Sequence, residues 1–427
     1  MTLEQRALLH LVAAGLGLRT PNLRPAGDVD LSSVDWDTVI YLARLHGVLG
    51  LLGAGMEAPD AVARRRRATQ VPRAVIERVT ELRDAEVQRS VYLSCELLRV
   101  LQLLQDGGVE VLAFKGPLLA HRVYGGIGRR SFWDLDLLIP KEAFARARAI
   151  LERDGYQPEE LWSARRERRE LRRNCEYNLD HPDRGVHLEL HWRFVPSYLG
   201  FARSSREMAG FWARSETVLF MGHRVPVLRL SDELSALAVH NAVKHAWERL
   251  RMVADIAAFV VLLTSQQTGG SAPGGNAAAC SQSCAEIMAR AEALGARRAP
   301  AVGLLLAERL LGAPVPEALR AWARADRRAE PLAERFAEDL FSFNGVEVVD
   351  NLRRARSVLA LRERRRDRVR HFLRLVRIAV LPSDRERELL PLPKPLRWVQ
   401  VAVRPFRLAR KYLLRYLARL RGRTGRA

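Results

Sequence analysis

The sequence predicts an α+β chain, with its strands gathered in a central core and helical regions on either side. Three observations predict this. Residues 1–105 carry apolar side chains at three- and four-residue steps, the helix period. Residues 106–230 alternate short apolar runs with helical stretches and Gly/Pro turns. From Ser231 the three–four spacing returns. The expected organisation is an N-terminal helical region (1–105), a core (106–230), a helical domain (231–345) with a mobile insertion at 264–283, and an arginine-rich C-terminal region (346–427).

Taken in order, Leu3 to Leu16, Asp37 to Leu52 and Val75 to Leu104 are the N-terminal helices. Ala61 to Arg67, with four successive arginines, reads as a solvated turn. His46 is read as a packed core histidine rather than a catalytic group. VLAFKGPLL is a short strand ending at Lys115-Gly116, followed by a helix from Leu118 to Tyr124. Gly125, Gly126 and Gly128 then loosen the chain before a strand that runs to Ile139. A helix from Lys141 to Arg153 leads to DGYQP, a turn and strand. The charged stretch Arg165 to Arg173 precedes a Cys175–Asp180 strand, the turn HPDRG and a Val186–Arg193 strand. Alternation on both sides of that turn argues for a β-hairpin. Ser231-Asp232-Glu233 reads as a helix cap with acidic residues in the first turn. TSQQTGGSAPGGNAAACSQS, residues 264–283, is low-complexity, and helix resumes from Ala285 to Phe343.

Length and composition narrow the function classes. With 427 residues the chain can bury more than one core, and 48% apolar content is ordinary for a soluble protein. The net charge of +21 is almost all arginine, since lysine occurs only at 115, 141, 244, 394 and 411. That balance suits a polyanionic neighbour, whether nucleotide, nucleic acid or acidic membrane face, or else reflects the codon usage of a GC-rich genome. Four scattered cysteines argue against a disulfide framework, and the Cys280/Cys284 pair has no nearby histidine to complete a zinc site. With no signal peptide and no apolar run near the ~18 residues of a transmembrane helix, the expected location is the cytoplasm of a bacterium.

The densest chemistry lies between Val111 and Ile139, where Asp134 and Asp136 sit inside an apolar strand. In an extended strand, residues i and i+2 project from one face roughly 6.5–7 Å apart. Two neighbouring anions ask for a cation, and carboxylate oxygens suit Mg²⁺. An isolated DxD is most often a solvated strand end; here the upstream strand, glycine turn and helix change the reading. A third carboxylate, Glu189, comes from VHLELHWRF, where His187, Glu189 and His191 alternate with Leu188, Leu190 and Trp192 and so share a face.

This order of strand, glycine turn, helix and DxD strand resembles the polymerase-β-like nucleotidyltransferase superfamily. FKGPLLAHRVY, the arginines before DLDLLI, LELHWRF and HNAVKHAWERLRMVADIA resemble more closely the bacterial family called uncharacterised nucleotidyltransferase, as do Trp36, Ala43, His46 and Val48 near the N-terminus. The resemblance implies a small mixed-sheet nucleotidyltransferase core. It also implies transfer of a nucleoside monophosphate from an NTP, ATP the expected one, to an acceptor hydroxyl with release of pyrophosphate. Asp134, Asp136 and Glu189 would be both catalytic residues and ligands of two Mg²⁺ ions. Gly116 and Lys115 would meet the β- and γ-phosphates, Arg129 or Arg130 the leaving pyrophosphate, and His191 would orient Glu189. The chain departs from the pattern in three places: Gly116-Pro117 removes a backbone donor from the turn, the turn lies further from Asp134 than usual, and Glu189 stands where Asp is commoner.

Two further segments carry open alternatives. His240, Lys244, Trp247, Arg251 and Asp255 fall on one helical stripe. The stripe is either a salt-bridged solvent face or a wall over the nucleotide cleft, with Lys244 or Arg251 on phosphate and Trp247 as a stacking surface. Arg404 to Arg426 interleaves Phe406, Tyr412 and Tyr416 with basic residues. It is either an arm packed on its own domain or a helix for an anionic polymer or membrane surface. The acceptor class, a small molecule, peptide or tRNA, is not readable. A catalytically idle nucleotide- or RNA-binding module and a toxin–antitoxin type nucleotidyltransferase remain the rival readings.

Overall fold

The computed structural model describes residues 1–18, 33–58, 71–197, 205–265, 275–342, 358–381, 399, 401–402 and 410. The Ala61–Arg67 turn, the tail apart from residue 410, and the part of the insertion at 266–274 lie outside the described residues. The chain divides into two compact units, 1–363 and 364–427. In the second, the described helix is Arg365–Val380.

The first unit is built on a mixed seven-stranded sheet with the order β3-β4-β5-β2-β1-β7-β6. These strands are β1 (Leu112–Phe114), β2 (Asp134–Leu138), β3 (Gln157–Pro158), β4 (Glu176–His181), β5 (Val186–His191), β6 (Glu216–Phe220) and β7 (His223–Val227). The expected β4–β5 hairpin is present and antiparallel. β2 pairs parallel with β5, and β1 pairs parallel with β7, which makes the sheet mixed.

Strand alternation sorts side chains into two cores. Ala113, Leu135, Leu137, Leu188, Leu190, Tyr177 and Leu179 face a cluster shared with Leu93, Leu97 and Leu101 of the long Arg73–Asp106 helix and with Phe144 and Leu151 of the Phe144–Arg153 helix. On the other face, Leu112, Phe114 and Leu138 join a larger cluster with the N-terminal helices and the helices after residue 230. At the β2 and β5 ends, this second face carries acids and histidines instead of leucine.

The N-terminal helices sit close together because small residues line their contact. Leu3–Gly15 crosses Leu49–Glu57 so tightly that a Cβ on Gly55 would come within 1.9 Å of the Leu11 carbonyl oxygen, and one on Gly15 within 2.1 Å of that of Leu51. The helix expected over Asp37 to Leu52 is two, Trp36–His46 and Leu49–Glu57, because Gly47 adopts φ +66° and ends the first.

Three further expectations need correction. The helix after residue 230 begins at Leu230 with Arg229 at its cap and no side-chain cap bond, and the Ser231 hydroxyl bonds Glu286 instead. The stripe from His240 to Asp255 is divided between two helices, Leu230–Lys244 and Leu250–Ser265. Ala246 and Trp247 between them hold φ of +52° and +55°, which breaks the helical register without a glycine or proline to announce it. Part of the 264–283 segment is helical: the Leu250–Ser265 helix runs into its start, and Gly275–Ala293 covers its end.

Candidate active site

The site rests on pairing register. Asp136 stands opposite Glu189 across the parallel β2–β5 pair, Asp134 opposite His187, and Leu138 opposite His191. Across β4–β5, Glu189 faces Asn178 and His191 faces Glu176. Cross-strand partners share a face, so Asp134, Asp136, Glu189, Glu176 and His191 project together. Ligand atoms of Asp136, Glu189 and His191 all lie within 4.8 Å of one another, and so do those of Cys175, Glu176 and His191.

The charges in this cluster are tightly matched. Lys115 Nζ donates to Asp136 Oδ1 at 2.9 Å. His191 Nε2 lies 2.9 Å from Asp136 Oδ1 and 3.1 Å from Glu189 Oε2. Lys244 Nζ donates to both Glu176 oxygens, at 2.7 and 2.8 Å, and lies 3.7 Å from Glu189. Burial favours the neutral form of Asp136, but the Lys115 charge and the His191 hydrogen bond outweigh it and hold its pKa below the usual range. Glu189 is likewise held low against burial, by His191 first and by Lys244 and Lys115 next. Burial opposes a charge on His191, yet its bonds to Asp136, Cys175 and Glu189 push its pKa well up. Asp134 behaves oppositely: burial, then the charges of Asp136 and Glu189, raise its pKa. Asp134 thus lies on the same face within electrostatic reach of Asp136 and Glu189, but the ligand atoms that come within 4.8 Å of one another are those of Asp136, Glu189 and His191.

The turn before this face is strained. Lys115 has φ +59°, ψ −141°, unusual for a side-chain-bearing residue, and Gly116 follows at φ +46°. Such a backbone costs about 1–3 kcal/mol and persists only where its surroundings fix it. Here the Lys115 side chain is tied to Asp136 and to His240 Nε2 at 3.2 Å, while its backbone N–H bonds Glu233. The Gly116–Tyr124 helix then starts with Pro117 in its first turn. Proline is suited to that position because the missing N–H would have no intrahelical partner anyway.

The other residues singled out from the sequence fall in different places. Arg129 ends a short 3-10 turn, Ile127–Arg129, and is exposed. Arg130 is buried and makes a bidentate pair with Asp255, at 2.7 and 3.1 Å, and the Tyr124 hydroxyl also donates to Asp255, at 2.6 Å. Arg251 donates to the Ser131 carbonyl at 2.8 Å and lies 5.9 Å from the Trp133 ring centroid. Trp247 is 1% exposed, and its indole packs against Gly303, so the ring face read as a stacking surface is enclosed in the core. Asp136, Glu189, Lys115 and Lys244 come together around His191, with Asp134 on the same face and Gly116 at the turn beside it; Arg130, Trp247 and Arg251 are engaged elsewhere.

Sequence reasoning passed over Glu176 and His245, read Glu233 only as a first-turn acid of a helix, and placed His240 only on a stripe. His240 Nδ1 lies 3.0 Å from the Phe194 carbonyl, while its Nε2 faces both Lys115 and His245, the latter at 3.1 Å. Burial and the Lys115 charge keep its pKa well below the ordinary value. A neutral imidazole that donates from Nδ1 therefore accepts at Nε2 and points the Lys115 ammonium at Asp136. The signal available for His240 and His245 was the HNAVKH run itself, whose two histidines flank Lys244.

The family described as "Uncharacterised nucleotidyltransferase" matches residues 32–312. No curated protein matches the chain. A solved structure similar to it is an antigenic nucleotidyltransferase-like protein from Paracoccidioides brasiliensis, at 13% identity and a TM-score of 0.27, covering 55% of this chain and 96% of that one.

Proposed function

We propose, on the premise that this chain belongs to the uncharacterised nucleotidyltransferase family, that it transfers a nucleoside monophosphate from an NTP, with ATP the expected donor, to an acceptor hydroxyl, releasing pyrophosphate. The observation that carries this reading is the register that sets Asp136 opposite Glu189 with Asp134 on the same face. Asp134, Asp136 and Glu189 offer hard oxygen donors and would hold Mg²⁺. Bound there, the metal would polarise the phosphoryl group and lower the pKa of the attacking hydroxyl.

The chain's own residues supply the rest. His191 touches both Asp136 and Glu189 and fixes the orientation of each carboxylate. Lys115 brings a positive charge to the start of the Gly116–Tyr124 helix, where backbone N–H groups and the helix dipole favour phosphate. Lys244 is held between Glu176 and Glu189 and keeps the outer side of the carboxylate cluster charged and ordered. Arg130 acts at a distance: clamped on Asp255, it fixes the start of the segment that leads into Asp134. The test is pyrophosphate release with Mg²⁺ and each of the four NTPs, with cell extract as acceptor source. Release from one NTP supports the reading, and none from all four overturns it.

A further inference from the structure

A groove of about 660 Å³ lies between the Trp36–His46 helix and the Arg73–Asp106 helix. Its inner wall is Ser131, Phe132 and Trp133, the three residues that lead directly into Asp134. Lys115, Gly116 and Lys244 are not among its lining residues, and neither are Asp134, Asp136 and Glu189, so the groove is separate from the turn assigned to phosphate and joins the carboxylates through the Trp133–Asp134 link. Its volume falls within the ~300–1,000 Å³ of small-molecule sites.

The lining has a distinct chemistry. Tyr41 and Trp133 are 57% and 49% exposed, high for side chains that normally cover themselves, and both face this groove. Trp133 is braced by the Arg251 guanidinium over its ring, and Arg251 also holds the Ser131 carbonyl. Ile40, Leu45 and Leu82 supply apolar wall. The charges nearly balance: Arg78 pairs with Asp37, Arg44 lies beside Glu86, and Arg89 donates to the Gly185 carbonyl. Glu86 in turn accepts from the Ser131 hydroxyl at 2.6 Å. A polyanion would find little unpaired positive charge here, whereas a ring would find two aromatic faces and a carboxylate.

We infer that this groove is the acceptor site, and that its acceptor is a small hydroxylated molecule with an aromatic ring, seated on Trp133 and Tyr41 with its hydroxyl directed to Asp134. The inference deepens the transfer reading above and rests on it. It also gives the N-terminal helices a task, since Tyr41 and Arg44 come from Trp36–His46 and Glu86 and Arg89 from Arg73–Asp106.

The experiment uses the full chain and three phenols of different charge: tyramine, 4-hydroxybenzoate and N-acetyltyrosine amide. Ring-proton saturation transfer reports their binding, and calorimetry reports binding of a non-hydrolysable ATP analogue with Mg²⁺. At least one phenol is expected to bind, with Tyr41→Ala and Trp133→Ala each weakening it about three- to tenfold while the analogue's affinity is retained. Both side chains are exposed, so both variants should melt with the wild type. Absence of saturation for all three phenols, or equal binding by both variants and wild type, overturns the acceptor groove while leaving nucleotide binding as measured. Phenol binding without any binding of the analogue overturns the transfer reading and the acceptor role with it.

Discussion

Asp136 and Glu189 face each other across two parallel strands, and the His191 Nε2 atom bridges their carboxylates at 2.9 and 3.1 Å. The two acids nevertheless have different neighbours. Asp136 is buried against Lys115, while Glu189 also feels Lys244 at 3.7 Å. Removing one or the other should therefore give different outcomes, and the same is true of Asp134.

Asp134→Asn should abolish nucleotidyl transfer with the fold intact. The Asp134 carboxyl is raised in pKa by burial and by Asp136 and Glu189, so neutralising it relieves repulsion. Loss of about 10²-fold or more in turnover is expected, the scale of losing a preorganised electrostatic group, with no drop in melting temperature. Retained turnover with labelled NTP would mean that Asp134 is not a ligand.

Asp136→Ala should cost activity and stability together. It leaves the Lys115 ammonium and the protonated His191 buried without their shared partner. Breaking such a pair costs about 3–5 kcal/mol. Urea unfolding measures it, and Lys115→Met combined with Asp136→Ala should recover part of the loss.

Much of this centre was legible in the sequence because strand alternation is local. DLDLLI and VHLELHW each declare which residues share a face, and the HPDRG turn declares the hairpin. That β2 and β5 pair directly and in parallel was not read, since no local pattern encodes register between strands so far apart. Glu176 was not singled out for the same reason: it becomes part of the site only through its pairing with His191. Arg130 looked available for phosphate because its partner, Asp255, is supplied from the other side of the core. Trp247 looked like a surface residue because a continuous helix was assumed where Ala246 and Trp247 turn left-handed.

The Arg130–Asp255 clamp should behave as a buried ion pair. Asp255→Ala strands the guanidinium and removes the Tyr124 acceptor, with an expected loss of about 3–5 kcal/mol. Arg130→Met with Asp255→Leu should be markedly less destabilised than the sum of the single changes. A double-mutant cycle by chemical denaturation reads the coupling, and strict additivity would contradict the clamp.

Acid should loosen the first unit through His46. Its Nδ1 accepts from the Leu250 N–H at 3.1 Å, so the buried ring is neutral, and burial together with Arg249 lowers its pKa to about 4 from 6.5. The unfolded chain then binds the proton more readily than the folded one. Stability is full above the unfolded value near 6.5 and is lost as pH falls from there to about 4, by about 3 kcal/mol. His240 and His245, also lowered, act in the same sense. Thermal melts between pH 7 and 4 should show the fall, and His46→Gln should flatten the part due to His46.

The close helix crossing at Gly15 and Gly55 predicts that Gly55→Ala costs at least about 1–3 kcal/mol, the range for overpacking. Its new methyl would meet the Leu11 carbonyl, a backbone atom that cannot rotate away. Melting temperature measures it, and an unchanged value would mean that the two helices do not approach so closely.

The most direct test of the three-carboxylate centre is Mn²⁺ binding followed by electron paramagnetic resonance, with a non-hydrolysable ATP analogue present. The wild type should bind Mn²⁺, and Asp134→Asn and Glu189→Gln should each lose at least one ion while retaining their fold. Equal binding by the wild type and both variants, or none by the wild type, would contradict it.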